Sequence, residues 1–116
     1  MSGIKSKILF FITLSALFVC CSPVLFKLTT EDVDFAKTKW NDVSIEQLNR
    51  GCSLYIGKCA GCHFLHTPNE FTEKEWLELL PEMSSKAKLT QEQNDLVMKY
   101  VITKSYTQKK KSKTQL

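Results

Sequence analysis

A chain of 116 residues, 43% hydrophobic and 24% charged, can bury one small core and is too apolar for a disordered polymer. Its formal charge of +4 resides at its ends, because residues 41–106 hold seven Lys or Arg against nine Asp or Glu. That near-neutral centre excludes a nucleic-acid surface, and the five cysteines do not pair into a disulfide framework.

Residues 1–20 read as an export signal. Lys5 and Lys7 precede an apolar run from Ile8 to Val19, which has signal-peptide length and is short for a membrane span. The run meets Cys20-Cys21-Ser22 and there resembles a bacterial lipoprotein site. Cys21 fits acylation better than Cys20, because a small residue precedes it. The resemblance implies an exported protein, in the periplasm or at the cell surface, held to a membrane by a lipid anchor. Residues 21–40 carry scattered charge with weak periodicity and read as a stalk.

Three segments read as helices, each opened by a capping box in which a hydroxyl and a Glu or Gln satisfy orphan backbone N–H groups. Ser44-Ile45-Glu46-Gln47 opens a helix over about 45–59, with Val43 and Leu48 as its hydrophobic staple. Ile45, Leu48, Cys52, Tyr55, Ile56 and Cys59 form its apolar stripe, which makes Cys52 a small buried hydrophobe. Thr72-Glu73-Lys74-Glu75 opens a second helix over about 73–80, stapled by Phe71 and Trp76 and stopped by Pro81. Thr90-Gln91-Glu92-Gln93 opens a third over about 91–106, apolar at Leu96, Val97, Tyr100 and Val101. The Lys-rich residues 107–116 read as a solvated tail. The folded domain is therefore expected over 41–106, as an all-α unit of three helices.

Cys59-Ala60-Gly61-Cys62-His63 makes the most specific chemical demand in the chain. It is C-x-x-C-H, in which two thiols add across the vinyl groups of one porphyrin and the histidine ligates its iron. One covalently bound haem c is expected, and it would staple a core that is small for its length. A zinc site built from Cys59, Cys62 and His63 or His66 lacks a second ligand pair of the usual spacing. The second axial ligand is read as Met83, placed in a loop between the second and third helices. Met98 lies on an apolar helix face and reads as packing. His66 follows His63 too closely to cross the ring and is placed near the haem edge.

From about Ser44 to Tyr106 the pattern resembles a class I c-type cytochrome, and more narrowly a short monohaem domain of exported cytochromes. Gly51 and Tyr55 before the motif, Tyr100 on the last helix, and Met83 ahead of it carry the likeness. The resemblance implies that Gly51 permits a close helix crossing and that the Pro68 carbonyl accepts from the free N–H of His63. Trp76 is left as core packing or as a propionate partner.

These readings predict a one-electron carrier with no catalytic residues. Its partners would be redox proteins and a membrane, with no small-molecule substrate. A haem-based ligand sensor or a peroxidase-like protein is the competing reading, because either needs a displaceable sixth ligand.

Overall fold

The computed structural model describes residues 27–60 and 64–116. The export signal, the cysteines at 20 and 21, and Gly61, Cys62 and His63 lie outside the described residues. The described chain is all-α, as expected, with four helices rather than three. They are α1 (Thr30–Lys39), α2 (Ile45–Leu54), α3 (Glu73–Lys86) and α4 (Gln91–Thr114). A π-helical turn over Tyr55–Cys59 prolongs α2, and a 3-10 turn over Pro68–Glu70 precedes α3. Among the described residues no helix is long and apolar enough to cross a membrane.

The three expected capping boxes all form, at Ser44, Thr72 and Thr90. Both staples bring their residues together: Val43 and Leu48 share a small cluster, and Phe71 meets Trp76 edge-on with ring centroids 5.1 Å apart. Thr29 and Thr67 form two further boxes, with Asp32 and Glu70 in the acidic position.

Tyr55, Trp76, Leu80, Val97, Tyr100, Val101 and Ile102 form the main core. α4 is its spine. It packs on α2 through Gly51, where an added Cβ would stand 2.2 Å from the Leu96 carbonyl oxygen and 2.9 Å from the Tyr100 Cβ. Only a residue without a Cβ lets the two backbones approach this closely. The close crossing implied for Gly51 is therefore present.

The structure corrects three boundaries. The stalk expected over 21–40 folds from Thr30 as α1, which packs on α4 with Asp32 and Ala36 fully buried. The tail expected over 107–116 continues α4 to Thr114. The physical reason is shared, because both segments meet at a buried polar network. The Asp32 carboxylate accepts from Lys104 Nζ at 3.1 Å, from the Thr107 hydroxyl, and from the Thr29 backbone N–H and hydroxyl at 2.7 and 2.9 Å. Burial alone would raise the Asp32 pKa, but hydrogen bonds from Thr107 and Thr29 and the Lys104 charge hold it below the ordinary carboxylate value.

The third correction is at Pro81, which lies inside α3 rather than ending it. Proline removes one helical hydrogen bond and costs about 3 kcal/mol in a helix interior. Trp76 and Leu80 before it, and Ser84 after it, are all buried, so packing on both sides holds the helix through. α3 then ends in a Schellman motif: Leu89 N–H donates to the Ser84 carbonyl and Lys88 N–H to that of Ser85. Lys88 takes the left-handed conformation (φ 55°) that this cap requires.

Candidate haem site

Cys59 leaves the end of α2 through the π-helical turn, a geometry that recurs at functional sites. The turn is anchored by Tyr55, which is buried and stands 5.9 Å edge-on from Trp76 and 6.0 Å from Tyr100. The Tyr55 hydroxyl donates to the His66 carbonyl at 2.7 Å. One buried phenol thus ties the strand of chain entering the motif to the strand leaving it. Burial, followed by the neighbouring Cys59 and Glu70, raises the Tyr55 pKa, so the phenol stays protonated and keeps this bond.

A cavity of about 330 Å³ opens beside Cys59. Met83 lines it together with Leu65, Leu79 and Ala87, while Lys58, Glu82 and Lys86 supply its charged groups. Met83 reaches it from inside α3, one turn before the Schellman cap, and not from a loop. Met98 is half-buried against the main core and does not line this cavity.

The donor set fits a covalently attached haem. Cys59 provides a thiol for one thioether bond, Met83 a sulfur able to ligate iron, and Leu65, Leu79 and Ala87 hydrocarbon for the macrocycle. Lys58 and Lys86 are ammonium groups able to meet the propionate carboxylates. Lys86 is at present paired with Glu82 at 2.6 Å.

The other residues singled out in the sequence take defined places. The Trp76 indole N–H donates to the Pro68 carbonyl at 2.8 Å, and both residues are buried. That bond commits the Trp76 donor to the protein and makes Trp76 core. It also means that the carbonyl assigned by resemblance to His63 already accepts from the indole. His66 is not among the residues that line the cavity, and its Nδ1 lies 2.6 Å from Glu70 and its ring edge-on to Phe71 at 5.0 Å. The His66 hydrogen bond, with those from Thr67, lowers the Glu70 pKa to about 2. Cys52 packs half-buried against the core, and burial raises its thiol pKa, so it is not a reactive thiolate.

Sequence reading missed the thread of side-chain bonds that holds the motif's exit loop. Tyr55, Pro68, Glu70 and Trp76 form it, and the T-x-x-E pattern at Thr67 to Glu70 was its one visible sign.

Residues 55–116 match the family model for dihaem cytochrome c. The match covers more than half the chain, from the π-helical turn through both C-terminal helices, so the chain belongs to this family of c-type cytochromes. The family indicates covalently bound haem c and an electron carrier. Its name refers to two haems, whereas this sequence contains a single C-x-x-C-H. No curated protein and no solved structure matches the chain.

Proposed function

We propose that this chain is a monohaem one-electron carrier tethered to a membrane outside the cytoplasm, alone or as a subunit of a redox complex. Cys59 and Cys62 hold the haem and His63 and Met83 ligate its iron. The observation that carries this reading is the cavity lined by both Cys59 and Met83, in a chain with one attachment motif. When bound, the haem supplies the exchange of single electrons.

The protein residues do the rest. Cys59, on the π-helical turn that prolongs α2, would with Cys62 fix the group to the chain. Met83, held by α3, would offer its sulfur to the iron and so deny that place to a substrate. Leu65, Leu79 and Ala87 would keep water from the bound group, and a dry site needs little rearrangement between oxidation states. The tether is the acyl group carried by Cys21, or Cys20, at the N-terminus left once the export signal is removed.

Absorption spectra of the oxidised and reduced full chain test the proposal. The expected result is a covalent, low-spin haem with the weak red band of methionine–ferric iron and no carbon monoxide binding. Ready carbon monoxide binding by a high-spin form would move the function to sensing or peroxidase chemistry. A dihaem stoichiometry of iron to protein would overturn the monohaem assignment.

A further inference from the structure

The Lys-rich end of the chain is a structured face of the domain. Lys110, Lys111 and Lys113 are exposed on the last turns of α4, with Lys109 half-exposed beside them. A groove of about 360 Å³ runs along this end, lined by Ile102, Tyr106, Lys109, Lys110 and Lys113 on α4 and by Thr72 and Glu73 at the start of α3. Tyr106 is half-exposed and stacks on Phe35 of α1 with ring centroids 3.9 Å apart. The carboxylates that act on these lysines are Glu31, 3.4 and 3.5 Å from Lys110 and Lys111, and Glu75, near Lys109. Glu73 is engaged by Lys39 at 2.7 Å. With Lys27, the end keeps an excess of positive charge.

The chain enters between this end and α2, where Lys27 and Leu28 line a pocket with Ile45, Cys52 and Ile56. The described residues begin at exposed Lys27, whose carbonyl accepts from Lys104 Nζ at 3.0 Å. Glu31, at the start of α1, then pairs with Lys110 and Lys111. Only five residues separate Cys21 from Lys27, and even fully extended the connection reaches about 20 Å.

We propose that this end of the domain, centred on Lys109, Lys110, Lys113 and Tyr106, docks on the anionic phospholipid surface to which the chain is tethered. The inference rests on the tether reading above. Three observations favour lipid over an acidic protein. The short connection makes contact with the membrane intramolecular, whereas a soluble partner must be bound from dilution. Lysines arranged around a half-exposed tyrosine pair with the composition of the membrane interface, where amphipathic rings sit at headgroup level. A lysine near an anionic surface is worth about fivefold in binding, and the effect vanishes beyond a Debye length of about 8 Å. Glu31, four residues after Lys27, pairs with Lys110 and Lys111, so this face lies within the reach of the tether.

Docking there would orient the domain. Ser84, next to Met83, hydrogen-bonds Asn94, so the haem cleft lies at the Asn94 end of α4. Lys109 is fifteen residues further along the helix, about 22 Å away. The cleft would therefore face away from the lipid, toward soluble redox partners.

Lysine acetylation footprinting of the haem-loaded full chain tests this, on vesicles of phosphatidylcholine alone and of phosphatidylcholine with phosphatidylglycerol. On anionic vesicles the acetylation rates of Lys109, Lys110 and Lys113 should fall about fivefold. Lys58, at the cleft, should be unaffected, and 0.5 M salt should restore the rates. In the triple variant Lys109→Gln, Lys110→Gln, Lys113→Gln, the anionic-specific protection of Lys111 should disappear. If the chain sediments with both vesicle types and these lysines react equally on each, docking is overturned and the tether stands. If it sediments with neither, both are overturned. Stronger protection of the same lysines by soluble polyglutamate than by anionic vesicles would overturn lipid in favour of an acidic protein.

Discussion

The two ends of this molecule are built on opposite principles. At the end where α1 meets α4, a carboxylate is sealed from water: Asp32 is fully buried, with Lys104 and Thr107 buried around it. At the cleft end the backbone itself is irregular. α2 opens into a π-helical turn, α3 continues through Pro81, and Lys88 occupies a left-handed cap. The first end is polar inside and regular outside. The second has an apolar cavity and unusual backbone. The comparison teaches that the fold spends its satisfied polar groups on joining the terminal helices, and leaves its irregular geometry where Cys59 and Met83 must be aimed.

Removing Asp32 should give the largest effect and should separate the two ends. Asp32→Ala leaves Lys104 charged and buried without its carboxylate, a change that typically costs 3–5 kcal/mol (about that range is expected here). Denaturant unfolding of the haem-loaded protein measures it. The haem spectrum of the molecules that remain folded should be unchanged, because nothing at the cleft depends on this pair. A shifted spectrum would mean that the two ends are coupled. The same carboxylate sets an acid dependence. Its folded pKa lies below the ordinary 3.8, so its stabilisation is present above that pH and is lost as pH falls from there through the folded value. Unfolding free energy should drop on acidification in the parent protein, and Asp32→Asn should flatten that drop.

Gly51→Ala tests what joins the ends. The new Cβ would meet backbone atoms of Leu96, which no side-chain rotation can move. Alanine is worth about 1 kcal/mol more than glycine as a helix former, but overpacking of this kind costs about 3 kcal/mol and decides the sign. α2 must then lift from α4, and the π-helical turn carrying Cys59 moves with it. Both stability and haem incorporation should fall, which thermal melting and haem staining after denaturing electrophoresis would read. A stabilised Gly51→Ala protein would show that the crossing is looser than drawn.

Met83→Ala is the converse of the Asp32 substitution. Met83 is half-buried at the cavity edge, so its truncation should cost only about 1–2 kcal/mol, below the range for fully buried methionines. The spectrum should change completely: the methionine–iron band should vanish, carbon monoxide should bind, and the reduction potential should fall. A potential and spectrum that survive the substitution would remove Met83 from the iron.

What the sequence disclosed follows the same division. C-x-x-C-H and the caps at Ser44, Thr72 and Thr90 were legible as local patterns, and the Gly51 crossing through the family resemblance. α1 was not, because its buried face is Asp32 and Ala36 and carries almost no apolar periodicity. The end of α4 was hidden for a related reason: beyond Tyr106 only Thr107 is buried, and it is polar, so no apolar residue marks the continuing helix. The carboxylate at the fourth position of Thr29-Thr30-Glu31-Asp32 was the available sign, a capping box with the shorter acid. Pro81 misled for a different reason. Its local preference to end a helix is real, and tertiary packing of Leu80 and Ser84 overrides it. Met83 was read as an iron ligand presented by a loop, whereas it lines the cavity from inside α3, since being aimed into a cleft does not require a loop.

Lys88→Gly should give the smallest effect and the only gain. A left-handed residue with a Cβ costs about 1–2 kcal/mol, and glycine removes that cost while losing part of it again to unfolded-chain entropy. A net stabilisation of about 0.5–1 kcal/mol is expected, read as a higher denaturation midpoint with an unchanged slope. The position matters beyond that number. Lys88 closes the Schellman motif one residue after Ala87, whose N–H donates to the Met83 carbonyl at 2.9 Å, so glycine firms the turn that holds the candidate ligand. If the irregular backbone of the cleft end serves only to place Met83, the spectrum and potential should remain as they were while stability rises. If Lys88→Gly instead shifts the potential, the left-handed lysine sets the position of the sulfur, and the strain at this end is part of how the site is tuned.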